Sequence, residues 1–108
     1  MENEQLALVL QNEFSVVAPE QPDREQLLRL LAEKIDVLIR TDFNRLLLML
    51  YRVDVDESKL RELLRTQHGQ AAGNIIANLV IERELEKIRL REKNRNAGGK
   101  TSPDAERW

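Results

Sequence analysis

The residue types that most often carry catalysis or bind metals are scarce in this chain. It has one histidine, His68, and no cysteine. A zinc site normally takes three or four histidine, cysteine or carboxylate ligands, which a lone histidine does not supply. His68 precedes Gly69 at the end of a predicted helix, where a protonated imidazole interacts favourably with the helix dipole. We therefore predict no metal site, no cofactor and no cysteine nucleophile.

The acidic segment 54–58 resembles the opening of a calcium-binding loop, because oxygen ligands stand at its first, third and fifth positions. The rest of that pattern fails. Lys59 stands where the loop needs glycine, and Arg65 stands where it needs a bidentate glutamate. We expect the acids to cap a helix instead, either Asp54 together with Glu57 or Asp56 alone.

Glu82, Glu84 and Glu86 form a second acidic cluster, but cations are interleaved with them. This pattern predicts a solvated helix with the i,i+3 ion pairs Glu84–Lys87 and Glu86–Arg89. Carboxylate catalysis would need two acids facing each other across a dry cleft, which the spacing does not indicate. No serine lies in a nucleophile elbow, and no glycine-rich loop carries the lysine that cradles phosphate. We predict that the protein is not an enzyme.

Hydrophobic periodicity predicts an all-α protein, since apolar residues recur at helical spacing and aromatic residues make up only 4% of the chain. Pro19 and Pro22 mark a loop, after which Asp23 and Gln26 are spaced as a capping box. Residues 14–17 fit either the end of a helix or a short extended piece. The predicted helices are 3–14, 24–40, 43–52, 57–67 and 70–94.

Segment 41–55 is the most apolar part of the chain, with no polar side chain between Leu46 and Tyr51. A helix that is apolar all round is covered on more than one side. We therefore predict a compact bundle of four to five helices around a buried central helix at about 43–52. The length of 108 residues suits one domain. We place that domain at 1–95, followed by a disordered tail at 96–108.

The apolar side of the last predicted helix changes partway along. Its first half carries a stripe with Ile75, Ile76 and Leu79, and residues 71–73 are small enough for close approach to a neighbouring helix. Arg83 falls on this first stripe, so we expect a structural ion pair with Asp42 or Asp54. The second half carries a stripe on the opposite side, which faces the N-terminal segment or another chain: Ile81, Leu85 and Ile88.

The leading function hypothesis follows from this second stripe. We expect a non-enzymatic interaction or assembly module that self-associates through its long C-terminal helix. A homodimer is the simplest outcome, because one exposed apolar stripe can be buried against its own copy, and a helical protein partner is the other option. The predicted interface consists of Leu30, Val37, Ile81, Leu85 and Ile88.

Charge is unevenly distributed, and this motivates a second hypothesis. Residues 1–57 hold 12 acids and 6 bases, a net charge of −6, whereas residues 58–108 hold 7 acids and 11 bases, a net charge of +4. The basic end of the last helix could bind nucleic acid or another anion. We disfavour nucleic acid, because residues 70–74, the start of the second helix of a helix-turn-helix, carry no cation. The candidate anion-binding residues are Lys87, Arg89, Arg91, Lys93 and Arg95.

We expect neither a secretory signal nor a membrane-spanning segment. No basic segment precedes an apolar stretch of the secretory type, and no run of about 20 apolar residues exists. The lack of cysteine fits a reducing compartment. We therefore expect a cytoplasmic protein without membrane association.

The sequence TDFNRLLLMLYRVDVDESKLRELL, followed by AGNIIANLVIERELEKI, resembles a family of small bacterial proteins of unassigned function over about residues 27–90. The pattern combines an Asp-Phe pair, a leucine-rich run, Tyr51-Arg52 and Asp54-Val55. The resemblance implies a single-domain, cytoplasmic helical protein. It implies no activity, cofactor or site residue.

Overall fold

Helices account for nearly all of the chain that the structure describes, residues 2–66 and 71–96 of a computed structural model. The all-α prediction is confirmed, and the predicted helix ends agree with the observed ones to within two residues. His68, Gly69 and residues 97–108 of the predicted tail lie outside the described residues. The helices are α1 (Glu2–Phe14), α2 (Arg24–Thr41), α3 (Phe43–Val53), α4 (Glu57–Thr66) and α5 (Ala72–Asn96).

Aspartates begin three of these helices by accepting hydrogen bonds from free backbone N–H groups. Asp23 and Gln26 form the predicted capping box of α2. Asp42 ends α2 and begins α3, where its side chain accepts from the backbone N–H of Arg45. Asp56 caps α4 through bonds from Ser58 and Lys59, at N···O distances of 2.9 and 3.2 Å. Of the two caps considered for α4, the structure therefore uses Asp56.

Helix α5 lies at the centre of the bundle, where it packs against α1, α2, α3 and α4 and most extensively against α2. Its buried positions extend over more than half of the helix circumference. The core series Ala77, Val80 and Ile88 shares one cluster with Leu27, Leu31 and Ile35 of α2 and with Leu6, Leu10 and Phe14 of α1.

The prediction that the helix at about 43–52 is buried all round is wrong. Helices α2 and α5 pack against α3, which buries only its Leu46, Met49, Leu50 and Val53 side. The centre belongs to α5 instead, because α5 has apolar side chains on several sides and is long enough to contact every other helix. The outer side of α3 exposes Phe43 (52%), Leu47 (47%), Leu48 (66%) and Tyr51 (85%).

Gly73 lets α5 approach α2 closely, as the small residues at 71–73 predicted. A methyl group at this position would overlap the carboxylate of Asp36 and lie 2.9 Å from the backbone carbonyl oxygen of Ala32. The carbonyl oxygen belongs to the α2 backbone, so it moves only if the whole helix moves. The first turn of α5 is thereby held against the middle of α2.

Replacing Gly73 by alanine tests this close approach. In an exposed helix, Gly→Ala gains about 0.5–1 kcal/mol of stability. Here we expect a loss of about 1–3 kcal/mol in the free energy of unfolding, because the added methyl forces α2 and α5 apart. Urea denaturation of Gly73→Ala measures it, with Asn74→Ala at an exposed neighbouring position as the control. A stabilised Gly73→Ala variant would mean that the helices do not pack this closely.

Candidate interaction surfaces

The predicted stripe of Ile81, Leu85 and Ile88 is not an exposed surface. These side chains are only 2%, 2% and 1% exposed, and all three belong to the main core cluster. The cover is α1, which packs on α5 and contributes Leu6, Leu10 and Phe14 to the same cluster. The stripe was predicted to face either the N-terminal segment or another chain, and the structure shows that the N-terminal segment covers it. The prediction that Ile81, Leu85 and Ile88 form an interface between chains is wrong.

The other two predicted interface residues lie on the flank of α2. Leu30 is half-buried and packs against the core. Val37 is 43% exposed, and its carbonyl oxygen accepts a hydrogen bond from the Thr41 hydroxyl. This flank offers one partly exposed valine rather than a continuous apolar surface.

The outer side of α3 carries four large exposed side chains with mainly apolar surface, and exposed Asn44 lies on the same side. We call these four residues the α3 face: Phe43, Leu47, Leu48 and Tyr51. At 100° per residue these side chains span about 140° of the helix circumference. Together they expose roughly 500 Å², in the upper range of the largest apolar patches on monomeric proteins. Patches of this size commonly mark sites of protein interaction.

Sequence reasoning found the apolarity of α3 but assigned it to burial. A helical wheel reports which residues share a side and cannot distinguish a side facing the core from one facing a partner. Tyr51 was the available signal, because its hydroxyl gives an otherwise apolar side a polar group that suits an exposed or interfacial position.

The five predicted anion-binding cations lie on two sides of α5. Lys87, Arg91 and Arg95 follow each other at intervals of four residues, whereas Arg89 and Lys93 lie about 120–160° away around the helix. Arg89 donates two hydrogen bonds to the Glu2 carboxylate, at 2.7 and 3.1 Å, which lowers the pKa of Glu2. The cations therefore do not form one patch.

Arg83 forms the predicted structural ion pair with Asp54, at an N···O distance of 3.2 Å. It also donates to Glu86 at 2.7 Å, and the hydrogen bond to Glu86 is the main reason that the pKa of Arg83 is raised. The predicted Glu86–Arg89 pair is wrong, because Glu86 pairs with Arg83 and Arg89 pairs with Glu2. These bonds tie α5 to the end of α3 and to the start of α1.

Glu84 departs most from its predicted environment, since it is 2% exposed rather than solvated. Its Oε1 lies 4.0 Å from Lys87 Nζ, which realises the predicted pair, and its Oε2 is buried without a hydrogen-bond partner among the described residues. Burial raises the pKa of Glu84, and Glu13 on α1 raises it further, against the opposing effects of Lys87, Arg91 and Arg83. Its spacing from Ala77, Val80 and Ile88 matches a core-facing position, which the charged neighbours obscured.

A groove runs along α5 beside the connection between α3 and α4, with a volume of about 620 Å³. Its apolar lining includes Val55, Leu79 and Leu85. Its charged lining is mixed: Arg24, Lys59, Arg83, Arg89 and Lys93 face Asp56, Glu82 and Glu86.

Over residues 2–66 and 71–96, no group of three or more histidine, cysteine, aspartate or glutamate side chains is arranged to hold a metal ion. None of the helices in those segments is long and apolar enough to cross a membrane. Comparison of the chain with protein-family models, curated proteins and solved structures finds no match. The resemblance to a bacterial family stays a prediction.

The buried carboxyl predicts a pH-dependent stability. The folded state favours the protonated, neutral form of Glu84, because it raises the pKa of this carboxyl above the ordinary value of 4.5. The contribution of Glu84 to the stability of the fold is therefore fully present below pH 4.5. It is lost as the pH rises through the folded-state pKa. We expect neutral Glu84→Gln to be about 1 kcal/mol more stable than the native chain at pH 7, with a difference that closes toward pH 4.5.

Urea denaturation across this pH range measures the difference. Glu82→Gln is the control, since Glu82 lies two residues away and is exposed, where a substitution changes stability by about 0.5 kcal/mol or less. A Glu84→Gln variant that is less stable at pH 7 would mean that the ionised carboxylate is well paired in the core.

Proposed function

We propose that the protein is a non-enzymatic assembly module that forms a homodimer through the α3 face. The observation that carries the proposal is the exposure of Phe43, Leu47, Leu48 and Tyr51 on one side of a short helix. Two copies of a surface of roughly 500 Å² would bury about 1,000 Å², the lower end of specific protein interfaces. We therefore expect a reversible dimer of micromolar affinity.

A second copy suits this face because the sequence of α3 is complementary to itself in an antiparallel pair. A twofold axis at Leu47 places Phe43 of one copy opposite Tyr51 of the other, an aromatic pairing that adds to apolar burial.

Nucleic-acid binding by α5 has weaker support. A phosphate backbone is recognised by several cations acting together, and the five candidates divide between two sides of the helix. Arg89 is held by Glu2, and Lys87 lies beside buried Glu84. The cytoplasmic location stays a prediction.

Light scattering at about 100 µM protein tests the dimer, because a micromolar dimer is then the main species. We expect a mass of twice the chain's 12.6 kDa. Leu47→Lys places a charge at the twofold axis and weakens dimerisation about tenfold or more. Tyr51→Ala also weakens dimerisation, and we expect this variant to fold normally because Tyr51 is 85% exposed.

Leu8→Lys is the matched control, since Leu8 is 60% exposed on α1 and lies outside the α3 face. It keeps the native mass if the α3 face is the interface. A native chain that stays monomeric at this concentration contradicts the proposal. Equal weakening by Leu8→Lys and Leu47→Lys contradicts the assignment to α3.

A further inference from the structure

A buried carboxyl lies at the contact between α1 and α5. Glu84 follows Ile81 by three residues and precedes Ile88 by four, so it lies on the side of α5 that α1 covers. Its side chain is only 3% exposed, and its Oε2 has no hydrogen-bond partner among the described residues. When Glu84 is ionised, this oxygen stays buried without a donor, which costs free energy for as long as α1 remains in place.

The charged groups that influence Glu84 lie on α1 and on α5 itself. Glu13, on α1, opposes its ionisation. Lys87, Arg91 and Arg83, on α5, favour its ionisation, but the effect of burial is larger, and the pKa of Glu84 is raised. Lys87 Nζ lies 4.0 Å from Oε1, which is beyond hydrogen-bond distance. The ionised carboxylate is therefore poorly compensated while α1 is docked.

Helix α1 can separate from the bundle without disrupting the backbone hydrogen bonds of the other helices. It is joined to α2 by the nonhelical connection 15–23, which contains Pro19 and Pro22. Ser15, directly after α1, has a backbone φ of 57°, in the left-handed region that residues other than glycine rarely adopt. An element that is held mainly by side-chain packing can open locally at a lower free-energy cost than global unfolding.

We propose that α1 is a pH-dependent cover of α5, which opens more often when Glu84 is ionised than when Glu84 is protonated. Opening α1 exposes both carboxylate oxygens to water and uncovers apolar side chains of α5. The cover contains no residue of the α3 face, so it is separate from the proposed dimer interface.

The direction of the pH dependence follows from the two states of Glu84. Its pKa is raised while α1 is docked and returns toward the ordinary value of 4.5 when α1 opens. Opening is therefore rarest below pH 4.5, becomes more frequent as the pH rises, and levels off above the pKa of the docked state. Glu2 does not share this dependence, because its bond to Arg89 lowers its pKa and keeps the pair ionised above pH 4.5.

Amide hydrogen exchange of the full chain between pH 4.5 and pH 7 tests the proposal, with each rate divided by the intrinsic exchange rate at that pH. We expect opening of α1, read at amides 6–14, to be about fivefold more frequent at pH 7, the factor that corresponds to about 1 kcal/mol. Amides 31–35 in the core of α2 are expected to exchange more slowly than those of α1. Equal rates in α1 and α2, or an α1 rate that does not change with pH, overturns the proposal.

Three variants, each checked for folding by circular dichroism, assign the pH dependence to Glu84. Glu84→Gln is neutral at every pH, so α1 opening loses its pH dependence and is about fivefold rarer than in the native chain at pH 7. Glu82→Gln, at an exposed position two residues away, keeps the native dependence. Glu2→Gln removes the bond to Arg89 and makes opening more frequent by the same factor at each pH. Persistence of the dependence in Glu84→Gln, or its loss in Glu2→Gln, overturns the role of Glu84.

Discussion

The burial of α5 on several sides is the constraint on which the rest of the structure depends. Its core-facing positions begin at Gly73 beside α2 and continue through Val80 to Ile88, in the cluster that includes α1. Such a helix is stable only if neighbours cover each apolar side. Helices α1 and α2 provide most of that cover. Because α5 occupies the centre, α3 lies at the periphery with one side exposed.

Local signals made the helices predictable from the sequence. Three of these signals act within a few residues and can therefore be recognised in the sequence itself. They are the Asp23 and Gln26 capping box, the break at Asp42 and the acids before α4. An ion pair of Arg83 with Asp42 or Asp54 was also predictable, because an arginine on an apolar stripe needs a nearby acid, and the structure shows that the partner is Asp54.

Which apolar side chains are buried and which are exposed could not be assigned in this way. Periodicity identified both apolar segments. It predicted that Leu46–Leu50 is buried all round, whereas Leu47 and Leu48 are exposed, and it predicted an exposed stripe around Leu85, which is buried. Which of two apolar helices becomes buried depends on how all the helices pack together. The sequence of either helix alone does not determine that packing. Glu84 shows the same limit, since its local charge pattern predicted solvent while its spacing placed it in the core.

Cysteine cross-linking at Leu47 tests the central claim most directly, namely that the outer side of α3 meets its own copy around a twofold axis. The chain has no native cysteine, so Leu47→Cys introduces a single reactive group. At the axis the two sulfurs come within disulfide distance, and mild oxidation is expected to give a covalent dimer. Leu8→Cys, oxidised in parallel, is expected to stay largely monomeric. Equal cross-linking of both variants, or none at Leu47→Cys, would contradict the account.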